Sequence, residues 1–275
     1  MINFNGDLRT KNEFSLSSNN RAFKFGDGLF ETIKVENRRV VFLEDHYFRL
    51  MSSMRMLRME ISMKFTLEFF EKEILRTIEA NELIKSRVRF SVFRNDGGLY
   101  LPEDNATSYI IETDKLSITL KTDYEVDLFK DHYVYSGMLS TLKTNNKILN
   151  VIASVYADEN GLDNCVLLNE NKQIVEAINS NIFLVKNHRI TTPSLSEGCL
   201  KGVVRKNIIS LINKDTEYEI LEAAISPFEL QKADEVFLTN TIVGIQPVTK
   251  YRKKVYEISI ATDLQNKLKI LEKLT

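Results

Sequence analysis

Ser140-Thr-Leu-Lys-Thr-Asn-Asn-Lys-Ile-Leu-Asn150 joins a polar, turn-prone run to an apolar run of helical period. The junction predicts a helix starting at or near Lys143. The positive end of the helix dipole disfavours an ammonium there, which biases the amine toward its neutral, nucleophilic form. A neutral amine condenses with an aldehyde. The competing reading of Lys143 is an ordinary solvated surface lysine, so its meaning depends on the rest of the chain.

Downstream, Ile148, Val151, Ile152 and Val155 make the expected buried face of that helix, and Gly161 ends it. Short strands follow at close spacing over 164–169, 173–176, 181–185 and 189–192, a mostly antiparallel meander. Gly202 opens a further helix with Val204, Ile208, Leu211 and Ile212 inward. A strand over 235–239 and a last amphipathic helix from about Glu257 complete this half.

Upstream, Phe25-Gly-Asp-Gly-Leu-Phe-Glu-Thr-Ile-Lys-Val35 reads as a turn feeding a strand, with a hairpin turn at Glu36–Arg39. Asp45 is a candidate cap for a helix reaching about Met59. Thr66 is a candidate cap for a second, with Leu67, Phe70, Ile74 and Ile78 on one face. Strands are expected at 88–93 and 109–112. Alternation over 116–120 gives way to the charged run 121–131. The expected organisation is a small N-terminal α/β domain over 1–113, a linker over 114–121 and a larger C-terminal domain over 122–275.

The totals narrow the function classes. The 275 residues carry a net charge of -1, so nothing favours nucleic acid or a membrane surface as a partner. No apolar run approaches the length of a membrane span, and the N-terminus lacks a signal-peptide pattern. Cys165 and Cys199 have no metal or redox spacing, and His46, His132 and His188 are scattered. The expectations are therefore free thiols, a cytoplasmic protein and no metal site.

Several residues carry chemistry with two readings each. Gly202 at a helix start is a phosphate seat or a plain loop-to-helix joint. Thr239-Asn-Thr241 offers hydroxyls to an anion or is an ordinary turn. Glu176 is a solvent-facing strand residue or a buried carboxylate needing a donor. Arg49 is helix decoration or points inward. Gly26-Asp-Gly28 lacks the third glycine of a dinucleotide fingerprint, and no phosphate-loop motif occurs.

Taken in order, six segments resemble the class IV aminotransferase family, the pyridoxal-phosphate enzymes of fold type IV. They are Arg21-Ala-Phe-Lys-Phe-Gly-Asp-Gly-Leu-Phe-Glu-Thr32, His46-Tyr-Phe-Arg-Leu50, Leu142-Lys-Thr-Asn-Asn-Lys-Ile-Leu149, Val175-Glu-Ala-Ile-Asn-Ser-Asn-Ile-Phe183, Leu200-Lys-Gly-Val-Val-Arg205 and Glu235-Val-Phe-Leu-Thr-Asn-Thr241 with Pro247-Val248. The resemblance implies a two-domain α/β fold, an active site between the domains and a homodimer. It implies that Lys143 forms the Schiff base with pyridoxal 5'-phosphate and then moves the substrate proton. Glu176 would face the pyridine nitrogen. Arg49, Val203, Val204, Thr241 and Ile242 would serve the phosphate, with Asn181 beside the cofactor. Phe25, Glu31, Arg89 and Arg94 are candidate substrate contacts. The substrate is an amino acid or 2-oxo acid, and the expected reaction is amino transfer. Aminodeoxychorismate lyase chemistry, releasing pyruvate and 4-aminobenzoate, is the alternative, and a non-catalytic ligand- or partner-binding relative is a second one.

Overall fold

The structure is a computed structural model and describes residues 1–214 and 217–274; Thr275, the end of the expected second domain, lies outside the described residues. The chain packs as two compact units. One holds Met1–Ser117 together with Lys143–Asn146, and the other holds Ile118–Leu142 and Lys147–Leu274.

The first unit runs β1 (Ile2–Phe4), β2 (Asp7–Arg9), α1 (Arg21–Phe25), β3 (Gly28–Glu36), β4 (Arg39–Val40), α2 (Leu43–Met56), α3 (Leu67–Ala80), β5 (Lys85–Arg94) and β6 (Thr107–Lys115). Its strands form one antiparallel sheet in the order β2-β1-β6-β5-β3-β4. The turn from β3 to β4 places Asn37 and Arg38 at φ 52 and 60, the left-handed pair that closes a tight hairpin. The Thr66 hydroxyl accepts the Phe69 N–H and caps α3 as expected. α2 starts earlier than expected, at Leu43. Asp45 lies inside its first turn, and Phe42, in left-handed backbone, stands at the cap position. α2 packs on β3, and α3 on β1, β5 and β6. Phe70 and Phe90 meet at 4.7 Å in the fully buried layer between helices and sheet. Each such ring contributes roughly 2 kcal/mol by leaving water.

The second unit runs β7 (Glu125–Val134), α4 (Ile148–Glu159), β8 (Asn164–Asn169), β9 (Ile174–Ala177), β10 (Asn181–Lys186), β11 (Arg189–Pro193), α5 (Val203–Lys214), β12 (Glu219–Ala223), α6 (Glu229–Lys232), β13 (Glu235–Asn240), β14 (Gly244–Val248), β15 (Lys250–Tyr251), β16 (Lys254–Val255) and α7 (Ser259–Leu274). The expected meander divides into two sheets, ordered β12-β11-β10-β13-β14 and β16-β15-β7-β8-β9. Most pairs are antiparallel, but β11 with β12 and β7 with β8 and β15 run parallel. One core, including Val126, Val166, Ile182, Leu184 and Val236, draws on both sheets.

Two expectations need correction here. The charged run after residue 120 contains β7, because Val126, Leu128 and Phe129 are buried while Lys130 and Asp131 stay exposed. The apolar stripe of α4 is not its buried face. Ile148, Val151, Ile152 and Val155 are exposed, between 39% and 64%, and the small Ala153 and Ala157 face the core instead. Periodicity found the stripe, but it carries no information on what covers it.

Candidate active site

Lys143 does not begin a helix. α4 starts at Ile148, beyond the single turn over which a helix dipole acts. The segment is extended instead and pairs antiparallel with the start of β3. The Phe30 N–H donates to the Lys143 carbonyl at 2.9 Å, and the Asn145 N–H donates to the Gly28 carbonyl at 2.9 Å. β4 pairs only with the far end of β3, which leaves this end open to the segment. A Cβ on Gly28 would lie 2.5 Å from the Asn145 side-chain nitrogen and 3.1 Å from the Val92 carbonyl oxygen. Glycine at 28 thus leaves room for the Asn145 side chain against β3.

Above this edge, the Phe30 ring carries two cations. Lys143 Nζ lies 4.5 Å from its centroid and the Arg89 guanidinium 3.8 Å. Arg89 also donates to the Asn145 side chain at 3.3 Å. Burial pulls the Arg89 guanidinium below its ordinary value, partly opposed by the Glu112 charge. Extended alternation makes Lys143 and Asn145 neighbours on one face. Phe30 and Asn145 therefore define the surroundings of both Lys143 and Arg89, a role the sequence motifs did not assign to them.

The next residue of β3, Glu31, belongs to a different constellation. Its carboxylate is 1% exposed. Arg49 Nε donates to Oε1 at 2.8 Å, and Arg49 Nη2 is paired with Oε2. His46 Nδ1–H donates to Oε2 at 2.7 Å. Burial alone would raise the Glu31 carboxyl, but the Arg49 charge and the hydrogen bonds from His46 and Arg49 prevail and hold it at about 2. His46 is fully buried and pushed down, chiefly by burial, with Glu31 opposing. Its Nε2 has no partner among the described residues, which fits a neutral ring with the proton on Nδ1. Arg49 and Glu31, expected as a phosphate ligand and a substrate contact, are thus brought together.

Phe25 and Arg94 gather elsewhere, around a cavity of about 280 Å³ lined also by Arg21, Asp27, Tyr100 and Pro102. Arg94 donates to Asp27 at 3.0 Å and to the Leu57 carbonyl at 2.8 Å, and also contacts Asn105. Arg21 shares the same Asp27 oxygen at 2.8 Å and donates to the carbonyls of Gly97, Leu99 and Tyr100. The two arginines pin the 95–105 loop through one carboxylate, so the Arg94 guanidinium is committed to the protein itself.

In the second unit, Glu176 lies on β9 and accepts the Leu200 N–H at 2.9 Å. Asn181 opens β10 and donates to the Leu200 carbonyl at 2.9 Å. Its side-chain oxygen lies so near Gly202 that any Cβ there would overlap it. Residues 200–202 are thus clamped between two side chains just before α5. Val203 and Val204 follow as the first, buried residues of α5, where backbone N–H groups have no acceptor within the helix. Arg205 turns away and donates to the Pro193 carbonyl at 2.8 Å and to Glu222 at 2.6 Å. At the end of β13, Asn240 accepts the N–H groups of Ile242 and Val243 at 3.0 and 2.9 Å. The Ile242 N–H thus already has an acceptor within the turn. Thr239 Oγ1 is buried without a partner among the described residues. A helix start with open N–H groups, a glycine that admits close approach and an orphaned buried hydroxyl suit an anionic phosphate. Among the described residues no cluster of metal-ligating side chains occurs.

Comparisons with known proteins agree on one family. Residues 28–251 match the family profile for amino-transferase class IV. The chain is similar to a putative branched-chain-amino-acid aminotransferase of Methanocaldococcus jannaschii, 28% identical over 98% of this chain and 93% of that one. It is similar to a D-alanine aminotransferase of Bacillus licheniformis, 25% identical over 90% and 86%. Its structure resembles that of a putative 4-amino-4-deoxychorismate lyase from Legionella pneumophila, with a TM-score of 0.87, 25% identity and 95% and 97% of the two chains covered.

Proposed function

The chain belongs to the class IV aminotransferases, and we propose that it transfers an amino group between an amino acid and a 2-oxo acid with pyridoxal 5'-phosphate. The observation that carries this reading is Lys143, an amine held in fixed register against β3 by two backbone hydrogen bonds. When bound, the cofactor supplies the electron sink that stabilises negative charge at the substrate Cα. Lys143 Nζ would hold the cofactor and would move the proton at the substrate Cα. The Glu176 carboxylate would face the pyridine nitrogen, where an adjacent negative charge favours the protonated ring. The Val203 and Val204 N–H groups, the Thr241 hydroxyl and the Arg49 guanidinium bind the phosphate. Asn181 holds the 200–202 segment in place for them. Arg89, stacked on Phe30 beside Lys143, is the group for a substrate carboxylate.

The second reading is elimination of pyruvate from aminodeoxychorismate, supported by the similarity to the Legionella protein. There Lys143 takes the same proton, but a leaving group departs and no proton returns. Mixing the holoenzyme with single amino acids decides between them. Amino transfer predicts conversion of the bound cofactor to its amine form with at least one amino acid. No such conversion, together with 4-aminobenzoate release from aminodeoxychorismate, would overturn it.

We also assign a homodimer, supported by the uncovered apolar stripe of α4. Val151→Glu should shift the mass measured by light scattering from dimer to monomer, and an unchanged monomeric mass for the parent would end this assignment. The free, buried Cys165 and Cys199 are consistent with a cytoplasmic protein.

A further inference from the structure

Glu31 lies in an apolar strand, yet its carboxylate is buried and fully engaged on two sides. Arg49 meets it side-on with Nε and Nη2, and His46 donates from Nδ1. An ion pair this deep seldom exists for stability alone, since an apolar trio of the same volume would do as well or better. What such a pair provides is orientation. A side-on fork fixes the guanidinium plane about the last rotatable bonds of the arginine, so its other edge is aimed. His46 serves the same end one layer back. It is wholly buried, its Nε2 has no partner among the described residues, and its Nδ1 donates to Glu31. Removing water from a ring nitrogen without a partner costs free energy that local packing does not return. The arrangement therefore runs inward from His46 to Glu31 to Arg49, each group holding the next.

We infer that Glu31, braced by His46, is a positioning residue that fixes the Arg49 guanidinium for the phosphate of the cofactor. Glu31 thus acts through Arg49 and does not touch substrate. The inference rests on the reading of Arg49 as a phosphate contact given above. It makes the phosphate, and not the ring, the part of the cofactor whose binding depends on Glu31.

The test measures dissociation constants of the apoprotein for pyridoxal 5'-phosphate and for pyridoxal, which lacks the phosphate, by absorbance titration. The ratio of the two constants is the phosphate discrimination. Arg49→Met should lower it by at least about tenfold, the usual effect of losing a charge-assisted pair. Glu31→Gln should lower it by about tenfold while pyridoxal affinity changes by less than about twofold. Glu31→Gln combined with Arg49→Met should be no worse than Arg49→Met alone, because the two act as one unit. Retained discrimination in Glu31→Gln, or equal loss of both ligands, overturns the inference. Retained discrimination in Arg49→Met instead removes the phosphate role of Arg49, which is a separate failure. If Glu31→Gln does not fold, the His46 variants decide. His46→Leu should lower discrimination and His46→Gln, which keeps a donor, should restore it; wild-type discrimination in His46→Leu overturns the inference.

Discussion

Glu31 on β3 and Glu176 on β9 are both carboxylates in strands with buried apolar residues, but the fold treats them differently. Glu31 is sealed from water and ion-paired to Arg49, with His46 behind it. Glu176 is half-buried and accepts a backbone N–H from Leu200, a neutral donor. A carboxylate neutralised by a fixed cation has little charge left for a ligand. The first ties protein to protein; for the second we propose a role toward the cofactor ring.

That contrast can be broken by substitution. Glu31→Gln leaves a buried guanidinium without its counter-charge and should cost about 3 kcal/mol or more of unfolding free energy in urea. Glu31→Leu with Arg49→Met should recover most of it. Glu176→Gln should leave stability within about 0.5 kcal/mol, yet lower kcat by roughly a hundredfold, the effect of losing an electrostatic partner. If Glu176→Gln unfolds the protein while Glu31→Gln does not, the two roles are reversed. Arg89→Gln should raise KM for the carboxylate substrate by roughly tenfold with a smaller change in kcat, and an unchanged KM would remove Arg89 from the substrate site.

The smallest effect is on pH dependence. His46 is held below its ordinary 6.5, so the unfolded chain takes a proton that the folded one refuses as pH falls through that value. Glu31, held at about 2 against 4.5, adds to the loss below pH 4.5. Stability should therefore decline as pH drops from 6.5 and decline further below 4.5. His46→Gln should flatten the upper part of that slope in urea titrations between pH 5 and 7. A slope unchanged by His46→Gln would mean that the ring binds its proton equally well in the folded and unfolded chains.

Much of this was legible in the sequence. The Thr66 cap, the 36–39 hairpin, most strands and the motif segments lie where local patterns put them. The remainder depended on contacts between distant residues. Local sequence points to a helix dipole at Lys143 that the fold does not supply; the residue owes its position to an open edge of β3 that local sequence cannot display. β7 was hidden because its buried Val126 and Leu128 alternate with charges that sit at a sheet rim. The α4 stripe was visible, but whether the protomer covers it was not. Likewise, the motifs set Glu31, His46 and Arg49 on a strand and a helix, and only the packing of α2 on β3 joins them.

The central claim is that Lys143 is the residue that carries the cofactor. Borohydride reduction of the purified holoenzyme, followed by peptide mapping, tests it directly. The account predicts one phosphopyridoxyl group, on the peptide containing Lys143, and none in Lys143→Ala protein of unchanged fold. The same group on another lysine, or no adduct in protein saturated with the cofactor, would contradict it.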